Sequence, residues 1–246
     1  MRCDAALPYN SMALRFVIVI PARGGSKRIP RKNLALLGGK PLLEHTADQL
    51  RQAKVESHAS VSTEDAGVAA ESLKHGLHVI DRPAGLAADN ASTEAVLLHA
   101  LDALEKEGKT FDWVMTLPVT SPFRTAATIQ RFIREAEDAP ADIDSFFSVT
   151  ERVERLWKRK EDGTMHMVFP KSVGNQQERR LKGLLLYEEN SAVYLTRVTA
   201  LRRAADEGAI SPIFGENTKG IVIDAREGMD INTETDLRMA EAIFPK

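Results

Sequence analysis

The sequence predicts an α/β fold built on a three-layer, open, mainly parallel sheet, and three observations carry that reading. Phe16–Ile20 (FVIVI) is an unbroken apolar run rich in β-branched residues, the pattern of a strand buried on both faces. Strand-like and helix-like segments then alternate through residue 138, the rhythm of βαβ units. Apolar residues make up 43% of the 246-residue chain and charged ones 28%, a composition that supports one sizeable core rather than disorder.

The elements follow in order. A loop rich in glycine and proline runs from Pro21 to about Pro41, and Leu42–Ala53 then has helical spacing, with Leu43, Ala47 and Leu50 on one side. Ala59–Thr63 reads as a strand, followed by a helix to about His75 that Gly76 ends, and Leu77–Ile80 as a short third strand. Ser92–Glu107 is an amphipathic helix whose stripe is Val96, Leu97, Ala100, Leu101 and Leu104, with Gly108 just beyond its end. Trp113–Leu117 is another strand; a Thr-Ser-Pro turn leads from it into a helix carrying Ile129, Phe132, Ile133 and Ala136.

The rhythm breaks after a strand at Ser145–Val149. Residues 151–189 are rich in charge and weakly periodic, with a hairpin signal at Asp162-Gly163. They read as an excursion, placed within about 140–190, that suits an oligomer contact better than the sheet. The sheet resumes at Ala192–Leu195 and Gly220–Ile223. A last helix starts at Thr233, an N-cap with Asp236 three residues on, and presents Leu237, Ala240, Ile243 and Phe244 on one face. The expected domain spans 14–246, with 1–13 as a flexible leader.

Composition also excludes several classes. A net charge of −2 gives no global field toward nucleic acid or anionic lipid, so neither is an expected partner. The one cysteine, Cys3, permits no internal disulfide and fits a reducing compartment. Phe16–Ile20 is far too short to span a bilayer, and residues 1–13 lack the basic and apolar regions of a secretory signal, so a cytoplasmic address is expected. His45, His58, His75, His78, His99 and His166 show no zinc-like spacing with cysteine or carboxylates, and no G-x-S-x-G motif is present.

The most informative stretch is Pro21-Ala-Arg-Gly-Gly-Ser-Lys-Arg-Ile-Pro-Arg-Lys-Asn33. Arg23, Lys27, Arg28, Arg31 and Lys32 place five cations within ten residues, directly after a buried strand, where open α/β sheets bind their ligands. Gly24 and Gly25 are expected to free the backbone for close approach, with amide groups aimed at ligand oxygens. This is the chemistry of a triphosphate site, in which fixed cations stabilise both the bound ligand and departing pyrophosphate. A solvated basic loop is the competing explanation, and a Walker A loop is absent.

With these residues in view, the sequence resembles the acylneuraminate cytidylyltransferases, also called CMP-sialic acid synthetases. The resemblance covers residues 16–244 and rests on five blocks in the family's order: PARGGSKRIPRKNL, DRPAGLAADNAST, LPVTSPFRTA, ENSAVYL and MDINTETDL. It implies a Rossmann-like nucleotidyltransferase fold and transfer of CMP from CTP to the anomeric hydroxyl of a nonulosonic, sialic-acid-like sugar acid. Ala22, Arg23, Ser26, Lys27, Lys32 and Asn33 then hold the nucleotide, with Arg23 and Lys32 neutralising charge during the reaction. Arg82 meets the cytosine edge, whose acceptors suit a guanidinium, while Ala91 and Thr93 are further contacts. Arg82 also suits a surface ion pair, and Ser92 and Thr93 suit a helix cap.

The same resemblance gives Asp230 a catalytic and metal-binding role, holding Mg²⁺ or another divalent cation together with Asn232. The family pattern D-I-D-T-E has aspartate at that second position; an amide oxygen still ligates a hard cation, with less charge. A capping turn is the alternative for this segment. Arg180, Asn190 and Tyr194 match acceptor-binding positions, and a homodimer or dimer of dimers is implied, with excursion residues supplied across the interface. Two departures touch the acceptor half: Pro118 stands where glutamine is frequent, and Glu188 where arginine is frequent. The alternatives are a nucleotidyltransferase acting on an octulosonic acid or a sugar phosphate, and a non-catalytic nucleotide-binding regulator.

Overall fold

The computed structural model describes residues 14–152, 156–168 and 185–245. Its centre is a seven-stranded sheet. In chain order the strands are β1 (Phe16–Pro21), β4 (Ala59–Thr63), β5 (His78–Asp81), β6 (Trp113–Thr116), β7 (Ser145–Arg152), β10 (Leu186–Arg197) and β11 (Thr218–Val222). Two-residue strands β2 (Leu36–Leu37) and β3 (Lys40–Pro41) pair in the first loop, and β8 (Trp157–Arg159) with β9 (Met165–Met167) forms the hairpin expected at Asp162-Gly163. The helices are α1 (Leu42–Ala53), α2 (Ala66–Lys74), α3 (Thr93–Lys106), α4 (Ala126–Glu137), α5 (Val198–Asp206) and α6 (Glu234–Ile243).

The spatial order is β11-β7-β10-β6-β1-β4-β5, and β10 alone runs antiparallel to its neighbours. Alternation along β1 explains the three layers. Phe16, Ile18 and Ile20 face a core shared with Leu43 and Leu50 of α1 and Phe132 of α4; Val17 and Val19 face one shared with Leu97 and Leu101 of α3 and Leu201 of α5. Each of these large side chains is almost fully buried, worth about 1.5–3 kcal/mol of apolar transfer apiece. Trp113 joins the layers' edges, with the Arg197 guanidinium 4.4 Å above its ring and the Phe146 ring 5.8 Å away.

The helix ends obey local chemistry. Asp65 caps α2 by accepting from Val68 N at 2.8 Å, Ser92 caps α3 through Ala95 N, and Thr233 with Asp236 forms the reciprocal capping box of α6. Gly108 follows α3 at φ 80°, the left-handed conformation its position calls for. Two features differ from expectation. Helix α5 has no signal in the sequence reading, and β10 runs twelve residues rather than four, pairing with β7 from Leu186↔Arg152 onward. The strand expected at Ser145–Val149 is present, and residues 151–152 and 186–189 of the expected excursion also belong to the central sheet. Residues 1–13 and Arg180 lie outside the described residues. Among the described residues, no helix is long and apolar enough to cross a membrane.

Candidate active site

Chain order reverses between β1 and β6: β4 and β5 lie on one side of this pair, β10, β7 and β11 on the other. Loops leaving the carboxyl ends of β1 and β6 therefore part and leave a crevice between them. Three adjoining cavities occupy it. The first, about 510 Å³, is lined by Arg23, Ser26, Lys27, Arg28, Lys32 and Asn232, among others. The second, about 360 Å³, receives Arg82, Ala91, Thr93 and Tyr194; Pro21, Arg23, Asp89 and Pro118 line both. The third, about 510 Å³, holds Asn190, Asp230, Arg152 and Arg226, and shares Ser191 with the second.

The cation-rich loop is held from beneath. Ala22 is buried, and its N–H is spent on the Ser62 carbonyl of β4 at 3.0 Å. Asn33 is buried too, its amide donating to the Arg23 carbonyl at 2.8 Å, while Gly24 N–H donates to Glu64 Oε1 at 2.8 Å. The two glycines differ from the expected role, since neither has a positive φ; Arg31 does, at 50°. Gly24 is required by space, because a Cβ there would meet the Asp65 side chain at 2.5 Å. Close approach is made to the protein's own carboxylate.

Arg23, Lys27, Lys32 and Arg82 in the first two cavities are already engaged. Arg23 pairs with Asp89 at 2.9 Å and donates to the Ala87 carbonyl at 3.3 Å, and the Lys27 ammonium also bonds to Asp89. Lys27 first, and Arg23 with it, hold the Asp89 carboxyl below its ordinary range. Lys32 Nζ donates to the Ile231 carbonyl at 3.0 Å and to Asn232 Oδ1 at 3.3 Å. Burial lowers its pKa, and the nearby Asp230 charge opposes that. Arg82 is buried rather than on the surface, donating to Ser62 Oγ at 3.1 Å and the Ser62 carbonyl at 2.6 Å. Burial depresses its pKa against the pull of Glu64. Ser92 spends its hydroxyl on the α3 cap, and both it and Thr93, the first residue of that helix, face the second cavity.

The third cavity is built on a kink in β10, where the register with β7 shifts between Glu189 and Tyr194. Ser191 sits there at φ 60°, strained for a residue with a side chain. Buried Asn190 clamps the kink: its Oδ1 accepts from Ser148 Oγ at 2.6 Å and Ala192 N at 3.2 Å, and its Nδ2 donates to Thr150 Oγ1 at 2.8 Å. Tyr194 donates to Glu189 and reaches Ser191 Oγ at 3.1 Å; burial, then the bond to Glu189, pushes its phenol up. Glu188, at the position where the resemblance led to arginine, bonds to Arg152 of β7, so an arginine borders this cavity from the neighbouring strand.

Asp230 Oδ2 accepts from Asn232 Nδ2 at 2.5 Å, while buried Oδ1 has no partner among the described residues. The orphaned carboxylate oxygen is a hard donor that fits a divalent cation; the Asn232 amide oxygen, which here accepts from Lys32, would join it only after the amide turns. The segment is a capping turn as well, since Asn232 N–H and Thr233 N–H both bond to Asp236. Elsewhere, the fold brings Glu44 of α1 to Glu71 of α2 and His75 at that helix's end, a grouping that the sequence spacing did not reveal. Its carboxylates already pair with Lys40 and Lys74. Sequence reasoning assigned nothing to Asp89, Glu64 or Arg124. Asp89 lies within the second block, yet no spacing rule ties it to Arg23; Arg124 follows the Thr-Ser-Pro turn, but burial of an arginine has no local signal.

Comparison with known proteins agrees with this geometry. A family model described as cytidylyltransferase matches residues 17–194. The chain is 28% identical over 233 residues to the CMP-N,N'-diacetyllegionaminic acid synthase of Legionella pneumophila, covering 94% of this chain and 97% of that protein. It is 25% identical over 235 residues to the pseudaminic acid cytidylyltransferase of Campylobacter jejuni, at 94% and 97% coverage. Among solved structures, CMP:2-keto-3-deoxy-manno-octonic acid synthetase complexed with CTP superposes with a TM-score of 0.67 at 17% identity, over 93% of this chain and 98% of that one, a likeness of fold. The family model spans the strands whose ends form the crevice, both loops lining it and the kink of β10, and on that match the chain belongs to the cytidylyltransferase family of nucleotidyltransferases.

Proposed function

We propose that the protein transfers CMP from CTP to the anomeric hydroxyl of a nonulosonic acid and releases pyrophosphate. The observation that carries this reading is the pairing of a cation-lined cavity with a smaller one holding buried Arg82, the two meeting at Arg23. A triphosphate suits the first and a base with paired acceptors suits the second. The relatives named for legionaminic and pseudaminic acids support a nine-carbon acceptor.

In the proposed reaction the acceptor oxygen attacks the α-phosphorus in line, a new P–O bond forms, and the bond to the β-phosphate oxygen breaks. Pyrophosphate leaves with that electron pair, and the hydroxyl proton passes to a base. Arg23 and Lys27 exchange Asp89 for phosphate oxygens, so they enter the complex from an ion pair rather than from bulk water. Lys32, tethered to 231–232, adds positive charge on the side of the first cavity nearest Asp230. Asp230 and Asn232 hold the divalent cation, which when bound neutralises phosphate charge. Asn190, Tyr194 and Arg180 serve the acceptor, with Asn190 acting by clamping the kink of β10. The excursion within 140–190 serves a homodimer contact, and CTP as co-substrate goes with a cytoplasmic address.

The test is pyrophosphate release with CTP and Mg²⁺ across nonulosonic acids, an octulosonic acid and sugar 1-phosphates. Turnover confined to nonulosonic acids is expected. Preference for an octulosonic acid or a sugar phosphate would transfer the protein to that substrate class. Tight CTP binding with silence on every acceptor would mark a regulator instead.

A further inference from the structure

Arg124 is among the most deeply buried side chains of the molecule, 2% exposed, and no carboxylate bonds to it among the described residues. Its guanidinium donates to the Ala192 carbonyl at 2.6 Å, to Gln49 Oε1 at 2.8 Å and to the Pro118 carbonyl at 3.3 Å, while Nε has no partner among the described residues. Gln49, buried on α1, is fixed in turn by donating to the Pro122 carbonyl at 2.7 Å. Pro118 lines the first two cavities. Ala192 follows Ser191, the strained residue that lines the second and third. One side chain thus joins the turn after β6 to the kink of β10, two backbone segments that both line the second cavity.

Stability does not account for such a residue. A desolvated charge is costly to bury, and apolar replacements of similar volume are frequently neutral or stabilising. A planar fork reaches these three oxygen acceptors from two nitrogens in fixed directions, whereas an ammonium has three donors but gathers them at one point on a flexible stem. Burial pulls the Arg124 pKa down to about 9, which leaves it charged at neutral pH.

We infer that Arg124 is a positioning residue for the acceptor, setting the separation between the Pro118 turn and the Ser191 kink, where the second cavity meets the third. This rests on the proposed transfer reaction. The cation loop and Arg82 are anchored independently of it, through Ser62, Glu64 and Asn33. Loss of Arg124 therefore loosens the wall that Pro118 and Ser191 give the second cavity, on the side where it meets the third, and leaves the anchors of the cation loop and Arg82 in place.

The experiment compares wild type with Arg124→Met, Arg124→Lys and Gln49→Met, each shown to be folded at the assay temperature by thermal unfolding. CTP affinity is measured by calorimetry without acceptor, and kcat and KM by pyrophosphate release with N,N'-diacetyllegionaminic acid, or with whichever acceptor of the panel wild type uses. For Arg124→Met, acceptor kcat/KM is expected to fall at least about tenfold, while the CTP Kd stays within about twofold. Arg124→Lys should recover part of that loss, and Gln49→Met, which keeps the buried charge but frees its orientation, should show a smaller loss with the same split. Parallel losses for both substrates, or no loss for the acceptor, overturn the inference. If neither Arg124 variant folds, Gln49→Met alone decides it. A wild type silent on every acceptor defeats the functional reading first, and this inference with it; an active wild type without the split defeats this inference alone.

Discussion

Asn232 stands between opposite charges, donating through Nδ2 to Asp230 and accepting through Oδ1 from Lys32. An aspartate could not do both, because it has nothing to donate to a neighbouring carboxylate. Asn232→Asp sets two carboxylates side by side, a pair that repels until a cation joins it. The Mg²⁺ concentration for half-maximal activity is expected to fall by up to about tenfold, since site charge tunes affinity for hard cations. An unchanged Mg²⁺ requirement would separate this segment from metal binding. The residues open to sequence reading here were those whose chemistry is local: the cations of the first loop, and the capping pair Thr233 and Asp236. Asp89, Glu64 and Arg124 were not, because their meaning lies in partners dozens of positions away. Gly24 shows the same divide: its presence was noticed, but its reason, the Asp65 side chain, comes from another element.

At the scale of elements, α2 depends on Asp65 for its first turn. The Val68 N–H bond holds the Asp65 carboxyl below its ordinary value, against partial burial and with help from Arg31. A carboxylate with a depressed folded pKa stabilises the fold fully above its unfolded value of about 3.9 and loses that contribution as pH falls through the folded value. Asp65→Ala should therefore cost about 1 kcal/mol in urea unfolding at pH 7, with the gap closing below about pH 4. A gap that persists in acid would assign the loss to packing. Strands and helices with clear punctuation were legible: the expected Ser92 cap and Gly108 stop bound α3 as found. Helix α5 was not, because β10 runs into it at Arg197–Val198 with no breaker and no side-chain cap. The first half of β10, Leu186–Glu189, was hidden too, since its outward residues are mostly charged and its alternation is interrupted at the kink.

For the whole molecule, the β8–β9 hairpin and the start of β10 carry exposed apolar side chains: Leu156, Trp157, Met165, Val168 and Tyr187. With a net charge of only −2, little long-range repulsion opposes association of two copies. If this region makes the proposed dimer contact, Trp157→Glu combined with Met165→Glu should shift the sedimentation mass from dimer to monomer. A mass that does not change would move the interface elsewhere. The reversed direction of β10 has a wider consequence. Parallel strands deliver their far ends to the crevice, whereas β10 arrives there shortly after leaving the excursion and then departs through the core. The loops after β1 and β6 and the kink of β10, proposed to serve nucleotide and acceptor, thus come from separate stretches of chain. In the proposed reaction, substitutions in residues 150–191 would therefore alter which acceptor fits while leaving the loop after β1, with its anchors on Ser62 and Glu64, as it was.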